Sequence, residues 1–257
     1  PKLRGRAQLT ASLDGQLEQP HVTARGEFNG LRYAEYSAAR AQLSADLHPR
    51  KPSYFDLVLQ DLFAGIAVAQ ASLRVDGTQA QHTLRLQART ANGSADLSLR
   101  GGADAQWQRW QGELAEGRGA PAQLSPWQLE EPAALRVARD GSVALEPACW
   151  NSGTGRACVQ LRHAGVMSRI AFRLEDWAFA YFARFLPPQW KLSGAASGTG
   201  LLVLEDGGIR EARADLSTTA GRLSAGKQLA LAFEPSNLLV AEEARGLTLR
   251  LRLPIEN

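Results

Sequence analysis

Residues 82–101 read HTLRLQARTANGSADLSLRG, and this stretch decides the fold. Leu84 and Leu86 alternate with Arg85 and Gln87; beyond Asn92-Gly93, Leu97 and Leu99 alternate with Asp96, Ser98 and Arg100. A period of two puts apolar side chains on one face of a sheet and polar ones on the other. An Asn-Gly dipeptide accepts the positive φ angles of a tight hairpin. The stretch therefore predicts two antiparallel strands joined by a turn, apolar on one side only.

The same grammar extends in both directions. Leu3, Gly5, Ala7, Leu9, Ala11 and Leu13 alternate with polar residues, as do Phe55, Leu57 and Leu59, then Leu73 and Val75. Leu135, Val137 and Leu145 follow in ALRVARDGSVAL (134–145), and Ile170, Phe172 and Leu174 in SRIAFRL. Asp14-Gly15, Asn29-Gly30, Asp76-Gly77, Asp140-Gly141 and Asp206-Gly207 are further expected hairpin turns. Parallel strands need crossover helices, and only one helical pattern is present. The expectation is an all-β antiparallel meander. With alternation running to both ends of the 257 residues, the chain is expected to be a piece of something longer.

The one helical pattern is EDWAFAYFARFLPPQW (175–190). Trp177, Tyr181 and Phe185 recur at helical spacing with Phe182 beside them; Asp176 is placed to cap the start and Pro187-Pro188 to stop the end. The organisation expected is a β segment over 1–174, an amphipathic helix over 175–188, and a second β segment over 189–257. LSGAASGTG (192–200) restarts the pattern that LRGRAQL opens.

A sheet with one apolar face must cover it. It folds over on itself as a sandwich or barrel, or it curls into a trough covered by a ligand. The polar faces are dense in charge, and the lining is Leu and Ala with interspersed Gly rather than bulky β-branched residues. This favours the trough, and a smooth aliphatic lining suits an acyl chain, each buried methylene contributing about 0.8 kcal/mol. The expected lining is Leu9, Leu13, Val22 and Phe28, then Leu57, Leu59, Leu84 and Leu86, then Leu97, Leu99, Leu135 and Val137, and finally Leu145, Ile170 and Phe172. The helix carrying Trp177, Tyr181, Phe182 and Phe185 is expected to plug or gate it.

Cys149 and Cys158 are the only cysteines. A zinc site needs four ligands at short spacing and only His163 lies near; His21, His48 and His82 fall in separate strands or turns. A catalytic thiol needs a base, for which there is no sign. A disulfide closing a loop of about ten residues fits best, and the chain-entropy account gives it about 2.7 kcal/mol. It points to an oxidising compartment, the periplasm or a secreted space. No metal and no cofactor are expected. No phosphate-cradling loop, nucleophile elbow or zinc-protease motif occurs, and a net charge of +3 without a basic stripe argues against nucleic acid. Trp107, Trp110 and Trp127 are read as inward strand anchors before a carbohydrate platform.

The ordered series WQGEL, WQLEEPAAL, LEPACW with its second cysteine, then FLPP and LSGAASGTG resembles the central region of the TamB-type translocation and assembly module proteins of the AsmA-like superfamily. The resemblance implies a long curled β groove crossing the periplasm (a β-taco) in a parent protein anchored in the inner membrane of a Gram-negative bacterium. It implies a non-enzymatic role in moving phospholipid toward the outer membrane and in assembling autotransporters and barrels. The Omp85-type barrel partner, TamA, is expected to meet parts of the parent outside this segment. The alternative expectation is a chaperone-like scaffold that offers strand edges to barrel clients.

Overall fold

A computed structural model describes residues 2–16, 19–48, 51–122, 124–153, 155–181, 186–187, 189–226, 229–243 and 246–252. Nearly all of them are strand. The chain divides into two compact units, Pro1–Gln128 with Ala134–Arg139, and Leu129–Ala133 with Asp140–Asn257.

The first unit is a meander of β1 (Arg4–Gln16), β2 (Gln19–Tyr33), β3 (Tyr36–Leu47), β4 (Ser53–Phe63), β5 (Ala67–Gly77), β6 (His82–Thr90), β7 (Gly93–Ala103) and β8 (Arg109–Pro121), completed by β9 (Trp127–Leu129) and β10 (Ala133–Ala138). Each of β1 to β8 pairs antiparallel with the next, and both β9 and β10 pair with β8.

The second unit holds β11 (Val143–Ser152), β12 (Gly155–Ala164), β13 (Met167–Ala178), β14 (Trp190–Ser193), β15 (Ala195–Glu205), β16 (Gly208–Thr218), β17 (Gly221–Ala225), β18 (Leu229–Phe233), β19 (Ser236–Glu243) and β20 (Gly246–Arg252). Its main sheet runs β11-β12-β13-β15-β16-β19-β20. A three-stranded sheet, β14-β17-β18, stands apart from it.

The meander expected from residues 82–101 is present: Leu84 pairs with Leu99 and Leu86 with Leu97, and the strands turn between Thr90 and Gly93. Asp206-Gly207 joins β15 to β16 as a two-residue turn, with Glu205 opposite Gly208. Asn29-Gly30 is different. It lies inside β2, where Gly30 has φ 62° and the β1–β2 register shifts. The chain turns instead between Tyr33 and Tyr36, with Ala34 at φ 52°. A dipeptide that accepts positive φ makes a bulge as readily as a hairpin, and the strand continues wherever its partner continues.

The expected helix over 175–188 requires correction at its start. Trp177 and Ala178 are strand, paired with Ala196 and Ala195, and residues 179–181 form only a short 3-10 turn. Asp176 does not cap a helix; it has φ 47° at a shift in register between Leu174 and Trp177, and its N–H donates to Ser197 Oγ at 2.9 Å. An isolated helix of this length is marginal, whereas the β15 ladder satisfies the same backbone groups. Trp177 and Tyr181 still meet, ring centroids 5.4 Å apart, and Tyr181 hydroxyl lies 2.7 Å from Ser152 Oγ. Phe182 and Phe185 lie outside the described residues.

Cys149 and Cys158 form a disulfide. They sit directly opposite each other in the β11–β12 register, Cα atoms 3.9 Å apart. No helix among the described residues is long and apolar enough to cross a membrane.

Candidate functional site

Directly opposed residues of an antiparallel ladder share a face, so the register converts the alternation into rows. In the first unit one row runs Ala11, Ala24, Ala45, Phe55, Val75, Leu84, Leu99, Leu114 across β1 to β8. The next runs Leu9, Gly26, Leu43, Leu57, Leu73, Leu86, Leu97, Gly117, and a third Ala7, Phe28, Ala41, Leu59, Ala71, Ala88, Ala95, Gly119. Leu13 and Val22 continue the same face toward Leu47. The bulge between Ser98 and Leu99 keeps Leu99 opposite Leu114, so the rows survive into β8.

The opposite face is polar. Arg25, Ser44, Asp56, Arg74, Arg85 and Ser98 form one of its rows. Arg74 donates to both carboxylate oxygens of Asp76, at 2.9 and 3.0 Å, with Arg85 3.6 Å away. Hydrogen bonding from Arg74, then the charges of Arg74 and Arg85, hold the Asp76 carboxyl below its ordinary value despite partial desolvation. In the second unit Arg156 bonds both oxygens of Glu130, which raises the guanidinium pKa further.

Among the described residues no large side chain is fully buried, and the buried set is dominated by small residues such as Ala38, Ala41, Ala45, Ala103, Ala133 and Ala148. Leu9 is 57% exposed and Leu13 65%, on the face that ought to be the core. A second protein layer over these rows would have buried them.

The first unit's sheet curls around a cavity of about 720 Å³, lined by residues from the end of β3 to β10. Leu84, Leu99, Leu135 and Val137, all expected as lining, border it with Leu47, Phe55 and Val75. Leu57, Leu59, Leu86, Leu97, Leu9, Leu13, Val22 and Phe28 lie on the same face but away from this cavity. Leu145, Ile170 and Phe172 belong to the second unit, where Leu145, Leu161, Ile170 and Leu202 form one apolar row and Ala148, Val159, Phe172 and Gly200 another. Cys149 and Cys158 point the other way, in the row of Arg173, Thr199 and Asp215. The disulfide thus staples the hairpin from the polar side and leaves the apolar face smooth.

Glycine on the apolar face has a packing role. A Cβ on Gly200 would fall 2.2 Å from the Phe172 ring, and one on Gly26 2.9 Å from that of Phe28. The rings lie flat over their glycines instead of standing up into the trough. Trp110 does the same over Gly101 and Gly112, and from there its indole N–H donates to His82 Nε2 at 2.8 Å. Because Nε2 accepts, the imidazole proton sits on Nδ1, which donates to Thr78 carbonyl at 2.9 Å. An aromatic wall is thereby built into the cavity with its polar atoms satisfied. Of the other tryptophans in that region, Trp127 is buried as an anchor and Trp107 is 62% exposed.

These features define a class: antiparallel sheets with one charged face and one uncovered apolar face, curled in the first unit into a trough. The family described as TamB, N-terminal domain, matches over residues 1–257, and the chain belongs to the TamB family. No solved structure matches the chain.

Proposed function

We propose that this chain is a periplasmic segment of a bridge that guides phospholipids between inner and outer membrane, acyl chains in the apolar trough and headgroups in water at its mouth. The observation that carries the reading is the uncovered apolar face: three in-register rows across eight strands with no large side chain fully buried among the described residues. A cavity of about 720 Å³ falls in the range that holds drug-sized ligands, roughly 300–1,000 Å³. Each methylene sheltered there contributes about 0.8 kcal/mol, so a chain sliding from row to row exchanges equivalent contacts and needs no chemical step. Support for outer-membrane protein and autotransporter assembly belongs to the same proposal, with a TamA-type barrel engaged by parts of the parent protein outside this segment.

The test is native mass spectrometry of the purified chain with lipid extraction from the same sample. Phospholipid bound to the folded chain is the expected result. A folded chain that stays empty after incubation with phospholipid vesicles overturns it.

A further inference from the structure

The cavity of the first unit changes character toward one end of its strands. Its apolar wall comes from within strands, Leu84, Leu99 and Leu135 among others, whereas Ser53, Thr78 and Gln79 border it where β3 joins β4 and β5 joins β6. In an antiparallel meander those connections lie at the same strand ends as the β7–β8 turn. That turn carries Trp107, which borders the cavity too.

Trp107 is 62% exposed and has φ 55°, a left-handed backbone that bulky residues rarely adopt and that glycine would adopt without strain. The turn is nevertheless firmly held. The Trp107 N–H donates to the Asp104 carbonyl at 3.0 Å, and the Gln108 N–H donates to Asp104 Oδ1 at 2.7 Å. The Ala103 N–H donates to the Gln79 carbonyl, and the Arg139 N–H to the Gln108 carbonyl, both at 2.8 Å. Trp110, three residues on, lies flat with its indole N–H given to His82. The Trp107 indole N–H has no protein acceptor among the described residues. A strained, fixed turn thus keeps a large ring in water at the edge of an apolar cavity, which packing within the chain does not explain.

We propose that Trp107 is a lipid-binding residue that seats the ester end of a phospholipid acyl chain at the rim of the trough; this rests on the trough being the lipid path. An indole suits a boundary between apolar and wet surroundings, with its ring against hydrocarbon and its N–H toward an acceptor. In a phospholipid whose chains lie in the cavity and whose headgroup stays in water, the ester carbonyl is the polar group joined directly to the chain. It is therefore the acceptor that reaches the rim. Trp110 walls the cavity below, and Trp107 sets how deep a chain enters.

The experiment is native mass spectrometry titration of the purified chain with two phosphatidylethanolamines of equal chain length, one ester-linked and one ether-linked and so without carbonyls. The unmodified chain should bind the ester lipid about 2- to 10-fold more tightly, the worth of one hydrogen bond. Trp107→Phe, which keeps the ring and loses the donor, should bind both lipids equally. Trp107→Gly should bind both more weakly still while melting at the same temperature or higher, because the strain is relieved. The same preference for the ester lipid in the unmodified chain and in Trp107→Phe overturns the proposal and leaves the trough reading standing, as does a Trp107→Gly variant with lowered Tm, which would make the ring a packing element. A folded chain that binds neither lipid overturns both.

Discussion

Replacing Leu97 with aspartate puts a charge near the middle of the first unit's apolar face, between Leu86 on β6 and Gly117 on β8. What it costs depends on whether protein covers that face. If the face is open, as the 38% exposure of neighbouring Leu86 indicates, the carboxylate stays hydrated. The loss is then one Leu–Leu cross-strand contact, roughly 0.2–1 kcal/mol, and up to about 1 kcal/mol of strand preference. A total of about 1–2 kcal/mol lowers Tm by about 2–8 °C for a chain of this size. If a second layer covered the face, the lost packing and the buried unpaired charge would together exceed roughly 4–5 kcal/mol. The assay is thermal melting by circular dichroism, paired with lipid extraction of the same sample. A small drop in Tm with loss of bound phospholipid is expected. A variant that fails to fold would show the face is filled by protein, and a folded variant that retains lipid would put the lipid elsewhere.

Leu114, only 8% exposed, is the matched contrast: Leu114→Asp should destabilise by several kcal/mol, measured by urea unfolding. Reduction of Cys149–Cys158 should cost at most about 2.7 kcal/mol, lowering Tm by about 5–11 °C while leaving lipid retention intact, because the bridge lies on the polar face. Gly200→Val should cost about 1–3 kcal/mol through collision with Phe172; the double variant with Phe172→Leu should recover part of that, read as a coupling energy in a mutant cycle. The depressed Asp76 carboxyl contributes stability that is fully present above its ordinary value of 3.8 and is lost as pH falls below it. Asp76→Asn should therefore remove a pH dependence of less than about 1 kcal/mol from unfolding curves recorded between neutral pH and pH 3.

The strands and the apolar face were legible because period two is a local property: Leu84, Leu86, Leu97 and Leu99 declare one face whichever strands flank them. The disulfide was legible for the same reason, two cysteines bracketing one hairpin. Register was not. Trp110 reaches His82 only because Gly101 and Gly112 align beneath its ring, and no reading of a single strand contains that alignment. His21 and His48 fall in different elements, yet the β2–β3 pairing stacks them. The helix pattern from Trp177 to Phe185 was real as spacing, but its first residues had a better backbone partner in β15. A glycine dipeptide such as Asn29-Gly30 permits positive φ without saying whether the chain turns or bulges there.

The central claim is that lipid lies on one face of the sheet and not the other. Photocrosslinking tests it with adjacent residues of a single strand, since Leu99 faces the trough and Arg100 the charged side. A photoreactive side chain at position 99 should crosslink phospholipid in membranes from expressing cells, and one at position 100 should not. Equal labelling from both positions, or labelling from position 100 alone, would contradict the trough as the lipid path.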